Sequence, residues 1–125
     1  MKQAARNLAK CTRGATALEF AIVGPLFLAL TVGMIYGCLL LFSMASMQYA
    51  VEEGARCASV KATICTDSAS TINYTRAAYY GPIAAPTFTY ATPSCGHAVS
   101  STTNFSFNFV FSTLVVPLAA TACFP

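Results

Sequence analysis

Charge is what this sequence lacks most. Only 9% of its 125 residues are charged, whereas 56% are hydrophobic. That balance is too apolar for an ordinary soluble protein and too varied for low-complexity disorder. The net charge of +3 does not indicate a nucleic-acid partner, because four of the seven basic residues precede Gly14. This length accommodates one small domain and one membrane segment.

Catalytic and metal-binding groups are also scarce. His97 is the only histidine, and no carboxylate lies near it in sequence. No glycine-rich phosphate loop and no CxxC pair occur. These absences predict a protein that is not an enzyme and that needs no cofactor or metal.

Four cysteines follow the apolar segment: Cys57, Cys65, Cys95 and Cys123. In a small exported region, four cysteines indicate up to two disulfides, with three possible connectivities. We favour Cys57–Cys65, which closes a short turn, and Cys95–Cys123, which joins segments on either side of a predicted central strand. A zinc site is the weaker alternative, because the usual ligand spacings are absent.

An apolar segment covers residues 15–47, and no charged residue occurs from Phe20 to Val51. The helix from Phe20 to Met47 would be about 42 Å long, more than the roughly 30 Å of a bilayer core. It therefore tilts or protrudes. Pro25 predicts a kink. Gly33 and Gly37 lie one turn apart and favour close helix packing, although glycine is also simply common in membrane helices.

The basic residues before this segment predict a cytoplasmic N-terminus by the positive-inside rule. The remainder then faces the bacterial periplasm, where thiols can pair. This places the chain in the inner membrane as a single-pass protein, with lipid as one partner.

The helical pattern is predicted to continue to about Ala62, with a Glu52–Arg56 ion pair one turn apart. Residues 66–86 are predicted to be a loop, with a short helical turn at Thr75–Tyr80. Three tyrosines in this region, Tyr74, Tyr79 and Tyr80, would cover a sheet edge or form a contact surface.

Strands are predicted at Thr87–Tyr90, at Phe105–Phe111 and, after a break at Pro117, at Leu118–Phe124. Strict alternation places the four phenylalanines of the middle strand on one face. Residues Ser94–Asn104, rich in Ser and Thr, are predicted to be a loop. The predicted class is α+β, a long N-terminal transmembrane helix with a small antiparallel sheet on its periplasmic end. The segments are a leader at 1–14, the helix at 15–62 and a domain at 63–125.

Glu19 lies at the entrance of the apolar segment. A charge at a membrane centre costs about 2.5–3.5 kcal/mol, and less near the interface. Glu19 is therefore a functional candidate, and the alternative is an unpaired carboxylate that reaches the interface.

The segment from Arg13 through Gly14, Ala15, Glu19 and Phe20 resembles the processing site of type IV prepilins, and more narrowly the TadE-like pseudopilins of the tight-adherence (Flp) pilus. In that family a basic leader ends in Gly, Glu is the fifth residue after the cut, and an aromatic follows. Pro25 matches the proline of the family's helix. The stretch from Glu52 to Arg56 stands where the family often has a sequence similar to REGAR.

The resemblance implies that a prepilin peptidase cuts between Gly14 and Ala15. It also implies that Glu19 meets the new amine, on its own chain or on a neighbouring subunit. The expected partners are the peptidase, other pilin subunits and the inner-membrane assembly platform. Because the chain is far longer than a major Flp pilin, we expect a minor pseudopilin that acts in pilus assembly or adhesion and is incorporated into a surface pilus.

Two alternatives stay open. One is an uncleaved membrane-anchored periplasmic domain. The other is a secreted binding module cut after Ala45, although the apolar segment is too long for an ordinary signal peptide.

Overall fold

The computed structural model describes residues 12–83, 86–108 and 112–125, and only the backbone of residues 12–15. The predicted leader therefore lies largely outside the described residues, as do Phe109 and Phe111. The chain divides into two compact units, Met1–Tyr36 and Gly37–Pro125.

A single helix, α1, extends from Thr12 to Val60 over 49 residues. It continues through Pro25, whose missing N–H removes one bond of the helical ladder. Residues Thr16–Val60 are long and apolar enough to cross a membrane. Large apolar side chains of the first unit are exposed, including Phe20 at 77% and Met34 at 72%. A soluble protein would bury such a face, so this exposure fits a single-pass membrane helix.

The chain leaves α1 two residues before the predicted end near Ala62. The N–H of Lys61 donates to the Cys57 carbonyl at 2.8 Å, and the N–H of Cys65 donates to the Lys61 carbonyl at 3.0 Å. These bonds form a compact turn that brings Cys65 back to the helix.

A second helix, α2, covers Ser68–Ala77, so the predicted loop over residues 66–86 was wrong in its first half. Asp67 begins the helix. Its carboxylate accepts from the Ser70 N–H at 2.7 Å, and its own N–H donates to the Ser70 hydroxyl at 3.0 Å. This reciprocal pair is a capping box with Ser in place of the usual Glu or Gln. The hydrogen bonds from Ser70 lower the pKa of Asp67.

In the described part of the chain, three strands form an antiparallel sheet in the order β1-β2-β3: β1 is Thr87–Ala91, β2 is His97–Asn108 and β3 is Thr113–Phe124. The prediction of a loop at Ser94–Asn104 was wrong for most of its length, because residues from His97 onward pair with β3 and Ala98–Thr102 also pair with β1. Pro117 does not break β3. It lies on an edge strand, where a missing N–H leaves no partner unsatisfied if it faces outward.

The core of the second unit lies between α1, α2 and the sheet. From α1 it takes a helical stripe with residues at or near zero exposure: Ser43, Met47, Ala50, Val51, Ala55 and Cys57. From the sheet it takes alternating residues, among them Phe88, Val99, Phe105 and Phe107. The two buried faces have the periods of a helix and a strand, so each element buries one of its faces. The predicted α+β class, a long N-terminal helix followed by a small antiparallel sheet, is confirmed.

Gly54 allows the two helices to touch. A Cβ at this position would lie 2.0 Å from Oγ1 and 3.1 Å from Cβ of Thr75. Thr75 is fully buried, and its hydroxyl donates to the Thr71 carbonyl at 2.8 Å. Only glycine permits this approach of α2 to α1.

Two disulfides link the second unit. Cys57–Cys65, the helix-end disulfide, closes the turn after α1, and Cys95–Cys123, the sheet-end disulfide, joins the turn before β2 to the end of β3. These are the two pairs favoured from the sequence. Gly96 beside the second one has φ of 116° and leaves no room for a Cβ, which would lie 2.3 Å from the Phe124 carbonyl oxygen.

Candidate functional site

The predicted processing site lies on the described part of α1. Because α1 covers Thr12–Val60, the bond between Gly14 and Ala15 has helical backbone. A peptidase binds its substrate extended, so cleavage here requires the helix to unwind around this bond. Gly14 weakens the helix there by about 1 kcal/mol relative to Ala.

Glu19 is exposed on α1 and has neither an ion pair nor a hydrogen bond among the described residues. It lies one helical turn after Ala15, about 6 Å along the axis. Phe20 follows it and is 77% exposed. An unpaired carboxylate at the start of an apolar helix is a group for which a cationic partner would be favourable.

Pro25 lies beside an apolar groove in the surface of the same helix. The groove has a volume of about 510 Å³ and is lined by Phe20, Ala21, Val23, Gly24, Pro25, Phe27 and Leu28. A Cβ at Gly24 would lie in ordinary contact with the Phe20 ring, at 3.8 Å. A side chain from a neighbouring helix would fit a depression of this kind.

Gly33 and Gly37 present bare backbone. A Cβ at either position would meet nothing within 4 Å, so neither glycine is required by packing inside this chain. Their role as helix-packing residues stays a prediction.

Residues in the stretch from Glu52 to Arg56 make contacts within α1 and with α2. Glu52 accepts a hydrogen bond from the Gln48 amide at 2.9 Å and, in the described part of the chain, forms no ion pair with Arg56. The predicted pair was therefore wrong, because the neutral Gln48 lies one turn back at the same spacing. Gly54, in the middle of the stretch, provides the contact with Thr75 described above.

Glu53 lines a small pocket that the sequence did not predict. The pocket has a volume of about 210 Å³ and is lined by Tyr49, Glu53, Tyr74, Ala77, Ala78 and Tyr80. Its tyrosines come from α1, from α2 and from the segment after α2, so their meeting depends on the packing of the helices. Only the tyrosine-rich segment at 74–80 gave a signal.

Tyr79 is half-buried, whereas the neighbouring Tyr80 is 72% exposed. The Tyr79 ring meets the Phe88 ring edge-on at 6.3 Å. Burial raises the pKa of the Tyr79 phenol. Of the three tyrosines predicted to cover a sheet edge or form a surface, Tyr79 therefore does the first, and Tyr74 and Tyr80 line the pocket.

His97 of β2 contacts Tyr90 of the neighbouring strand β1. Its Nδ1 lies 2.5 Å from the Tyr90 hydroxyl, and the two rings stack at 6.0 Å. Within the described ranges, no cluster of three or more His, Cys, Asp or Glu residues could hold a metal ion.

A comparison with protein families matches residues 14–56 to the family described as TadE-like protein. The match begins at Gly14, covers Glu19 and the apolar helix, and ends at Arg56, so it confirms the resemblance carried by these residues. No curated protein and no solved structure shows significant similarity to the chain.

Proposed function

Because residues 14–56 are TadE-like, and that family is associated with the tight-adherence pilus, we propose that this chain is a minor pseudopilin. In this proposal a prepilin peptidase removes residues 1–14, and the mature protein acts in pilus assembly or adhesion with other pilin subunits and the inner-membrane platform. The observation that carries the proposal is the unpaired Glu19 one helical turn after the Gly14–Ala15 bond.

Hydrolysis of the Gly14–Ala15 bond would give the Glu19 carboxylate a cationic partner. Hydrolysis of the Gly14–Ala15 bond leaves a carboxylate on the leader and an amine on Ala15. A terminal amine has an ordinary pKa of about 7.7–8.0, so it is largely cationic at neutral pH. The new cation and Glu19 would each be costly alone in an apolar setting, and their pairing offsets part of that cost.

The amine of a neighbouring subunit is the partner that favours assembly. A pair within one chain would neutralise both charges without a second subunit. A pair between chains would bring two α1 helices together, and the groove at Pro25 and the bare backbone of Gly33 and Gly37 suit that approach.

Topology and disulfides agree with this placement. The basic residues before α1 keep the N-terminus in the cytoplasm. Both disulfides lie in the second unit, and they persist in an oxidising compartment such as the periplasm.

The structure disfavours the secreted-module alternative. A cut after Ala45 would fall inside α1, between Ser43 and Ser46, which are 0% and 8% exposed. The Ser46 hydroxyl also accepts a hydrogen bond from the Tyr80 N–H at 2.8 Å. Such a cut would sever a helix that supplies core residues on both sides of it.

N-terminal sequencing of the protein from cells, with and without the peptidase, tests the proposal. We expect Ala15 as the first residue when the peptidase is present and Met1 when it is absent. A protein that retains residues 1–14 while pili form normally would refute the proposed processing.

Glu19→Gln tests the charge separately from the shape. We expect normal processing but reduced recovery of the protein in sheared pili. Glu52→Gln is the matched control, since it removes an exposed carboxylate from the same helix beyond the apolar segment. Equal pilus incorporation by Glu19→Gln and Glu52→Gln would refute the role of Glu19.

A further inference from the structure

The pocket beside Glu53, here called the Glu53 pocket, combines one carboxylate with three aromatic rings. Its volume of about 210 Å³ is below the roughly 300–1,000 Å³ of sites for drug-sized ligands. The pocket therefore has room for a small chemical group. Its lining residues are Tyr49, Glu53, Tyr74, Ala77, Ala78 and Tyr80.

Helical spacing brings most of these side chains together. On α1, Tyr49 and Glu53 are four residues apart and share one face of the helix. On α2, Ala77 and Ala78 follow Tyr74 by three and four residues, which places them on one face as well. Each helix thus contributes one face to the pocket.

Contacts between the elements fix the walls of the pocket. Gly54 lets α2 approach α1 at Thr75, and each of these two residues is the sequence neighbour of a pocket residue. The N–H of Tyr80 donates to the Ser46 hydroxyl of α1 at 2.8 Å, so the segment after α2 is also attached to α1. The pocket is therefore formed before any ligand binds, as is usual for small-molecule sites.

Glu53 has no counter-charge within the pocket. Its side chain is half-buried, and within the described ranges it has neither an ion pair nor a hydrogen bond. Arg56, three residues later on the same helix, is exposed. A partly desolvated carboxylate without a partner favours the binding of a cation.

Tyr74 already contacts one alkylammonium group of the chain itself. The ammonium nitrogen of Lys61 lies 5.4 Å from the centroid of the Tyr74 ring and donates to its hydroxyl at 3.2 Å. This distance to the ring is within the roughly 6 Å of a cation–π contact. Lys61 is not one of the lining residues, which carry one negative charge and no positive charge.

We propose that the Glu53 pocket binds an organic ammonium ion. The Glu53 carboxylate balances the charge of this ion, and the tyrosine rings contact its alkyl groups, as aromatic residues do in sites for quaternary ammonium ligands. All lining residues belong to the second unit. The inference is therefore independent of the proposed function.

Two other classes of cation fit the pocket less well. A guanidinium group is planar and favours a bidentate pair with a carboxylate, whereas rings from three segments suit a compact ammonium group. A divalent metal ion takes several oxygen ligands. In the described part of the chain, no cluster of three or more His, Cys, Asp or Glu residues occurs.

NMR titration of the full-length protein, with isotope-labelled tyrosine rings, tests the proposal. The probes are choline and dimethylbutanol, its uncharged carbon analogue, and the detergent is a maltoside, which has no ammonium group. We expect choline to shift the signals of Tyr49, Tyr74 and Tyr80 but not that of Tyr90, which contacts His97 in the sheet. Dimethylbutanol should bind about fivefold more weakly or less well still. Equal affinities for the two probes, or no shift with choline, would overturn the proposal.

Glu53→Gln removes the charge and keeps the shape of the pocket. We expect it to weaken choline binding about three- to fivefold. Glu52→Gln is the matched control, because Glu52 is the adjacent carboxylate, does not line the pocket and accepts a hydrogen bond from Gln48. An equal effect of the two substitutions would show that the overall charge of the protein attracts choline, and the proposal would fail.

Ala77→Leu fills the pocket while the carboxylate and all three rings remain. Ala77 is exposed, so the larger side chain leaves the core unchanged, and we expect choline binding to be lost. Ala69→Leu, at another exposed position of α2 outside the pocket, should bind choline normally. Near-ultraviolet circular dichroism and non-reducing peptide mapping verify the fold of both variants. If Ala77→Leu binds choline as well as Ala69→Leu, the ligand does not occupy this pocket and the proposal is wrong.

Two further arms identify the source and the class of the cation. If a lipid headgroup is the ligand, nanodiscs of phosphatidylcholine should give the tyrosine shifts without added choline, and nanodiscs of phosphatidylglycerol should not. If only added choline gives the shifts, the ligand is a free organic ammonium ion. Both results support the proposal. Tighter binding of guanidinium than of choline would contradict the assignment to an ammonium ion.

Discussion

Gly54→Ala should destabilise the second unit although alanine is the better helix former. The new Cβ would lie 2.0 Å from the Thr75 hydroxyl oxygen. Because that is far below a van der Waals contact, α1 or α2 would have to shift. Overpacking of this kind costs about 1–3 kcal/mol, and loss of the Thr75–Thr71 hydrogen bond adds about 0.5–1.5 kcal/mol. The gain in helix propensity offsets about 1 kcal/mol, so we expect a net loss of about 2 kcal/mol.

Thermal unfolding of the full-length protein in detergent, followed by near-ultraviolet circular dichroism, measures this loss. For a unit of this size, about 2 kcal/mol corresponds to a fall in Tm of roughly 10 °C. Thr75→Ala removes the hydroxyl and the methyl group that meet the new Cβ, but leaves its own Cβ at 3.1 Å. The double variant should therefore recover part of the stability, with a coupling of about 1–2 kcal/mol between the two sites.

Gly37→Ala is the matched control, because a Cβ there meets no atom within 4 Å. It should leave the Tm unchanged or raise it slightly. If Gly54→Ala is as stable as Gly37→Ala, or if Thr75→Ala gives no rescue, the close approach of α2 to α1 does not limit stability and the reasoning fails.

Three further predictions concern the disulfides, the cap of α2 and the membrane glycines. Loss of the sheet-end disulfide by serine substitution should cost about 3.5 kcal/mol and loss of the helix-end disulfide about 2.5 kcal/mol, since loop entropy grows with the enclosed chain; urea unfolding in detergent measures both, and the reverse order would contradict the estimate. Because the folded-state pKa of Asp67 lies below its ordinary value of 3.8, its stabilising contribution is full above that value and is lost as the pH falls through the folded pKa. Asp67→Asn keeps a capping side chain without the charge, so its acid unfolding curve should be flatter than that of the native protein; identical curves would exclude the cap as a source of acid sensitivity. Leucine at Gly33 and Gly37 should leave the Tm unchanged but reduce recovery in sheared pili, and full recovery would show that these glycines do not pack against a neighbour.

The sequence predicted those elements whose burial follows a strong period. The long apolar helix was visible because no charge interrupts it. The strand at Phe105 was visible because Phe and polar residues alternate. The pairing of Cys57 with Cys65 was accessible because a turn between them is short.

The elements that the sequence did not reveal depend on tertiary context. His97–Asn104 is rich in Ser and Thr, which resembles a loop. Yet these residues belong to the central strand β2, and Ala98–Thr102 pair with a strand on each side. Tertiary pairing overrides their weak local preference. The helix α2 was missed because its capping box uses Ser70, whereas Glu or Gln is the usual signal.

The Glu53 pocket and the burial of Thr75 could not be predicted for a different reason. Both depend on the distance between α1 and α2. Gly54 sets that distance, but a single glycine in a helical pattern indicates only a local weakness until the opposing residue is known.

The contribution of α1 to the core of the second unit has a consequence for biosynthesis. The stripe from Ser43 to Ala58 leaves the ribosome before any strand does, so the sheet finds its apolar partner already made. A shortened protein that begins at residue 63 would lack that partner and would present Phe88, Val99 and Phe105 to water, a state prone to aggregation. A soluble version for crystallography should therefore begin at Ser43, or slightly earlier with the exposed Leu41 and Phe42 replaced by polar residues.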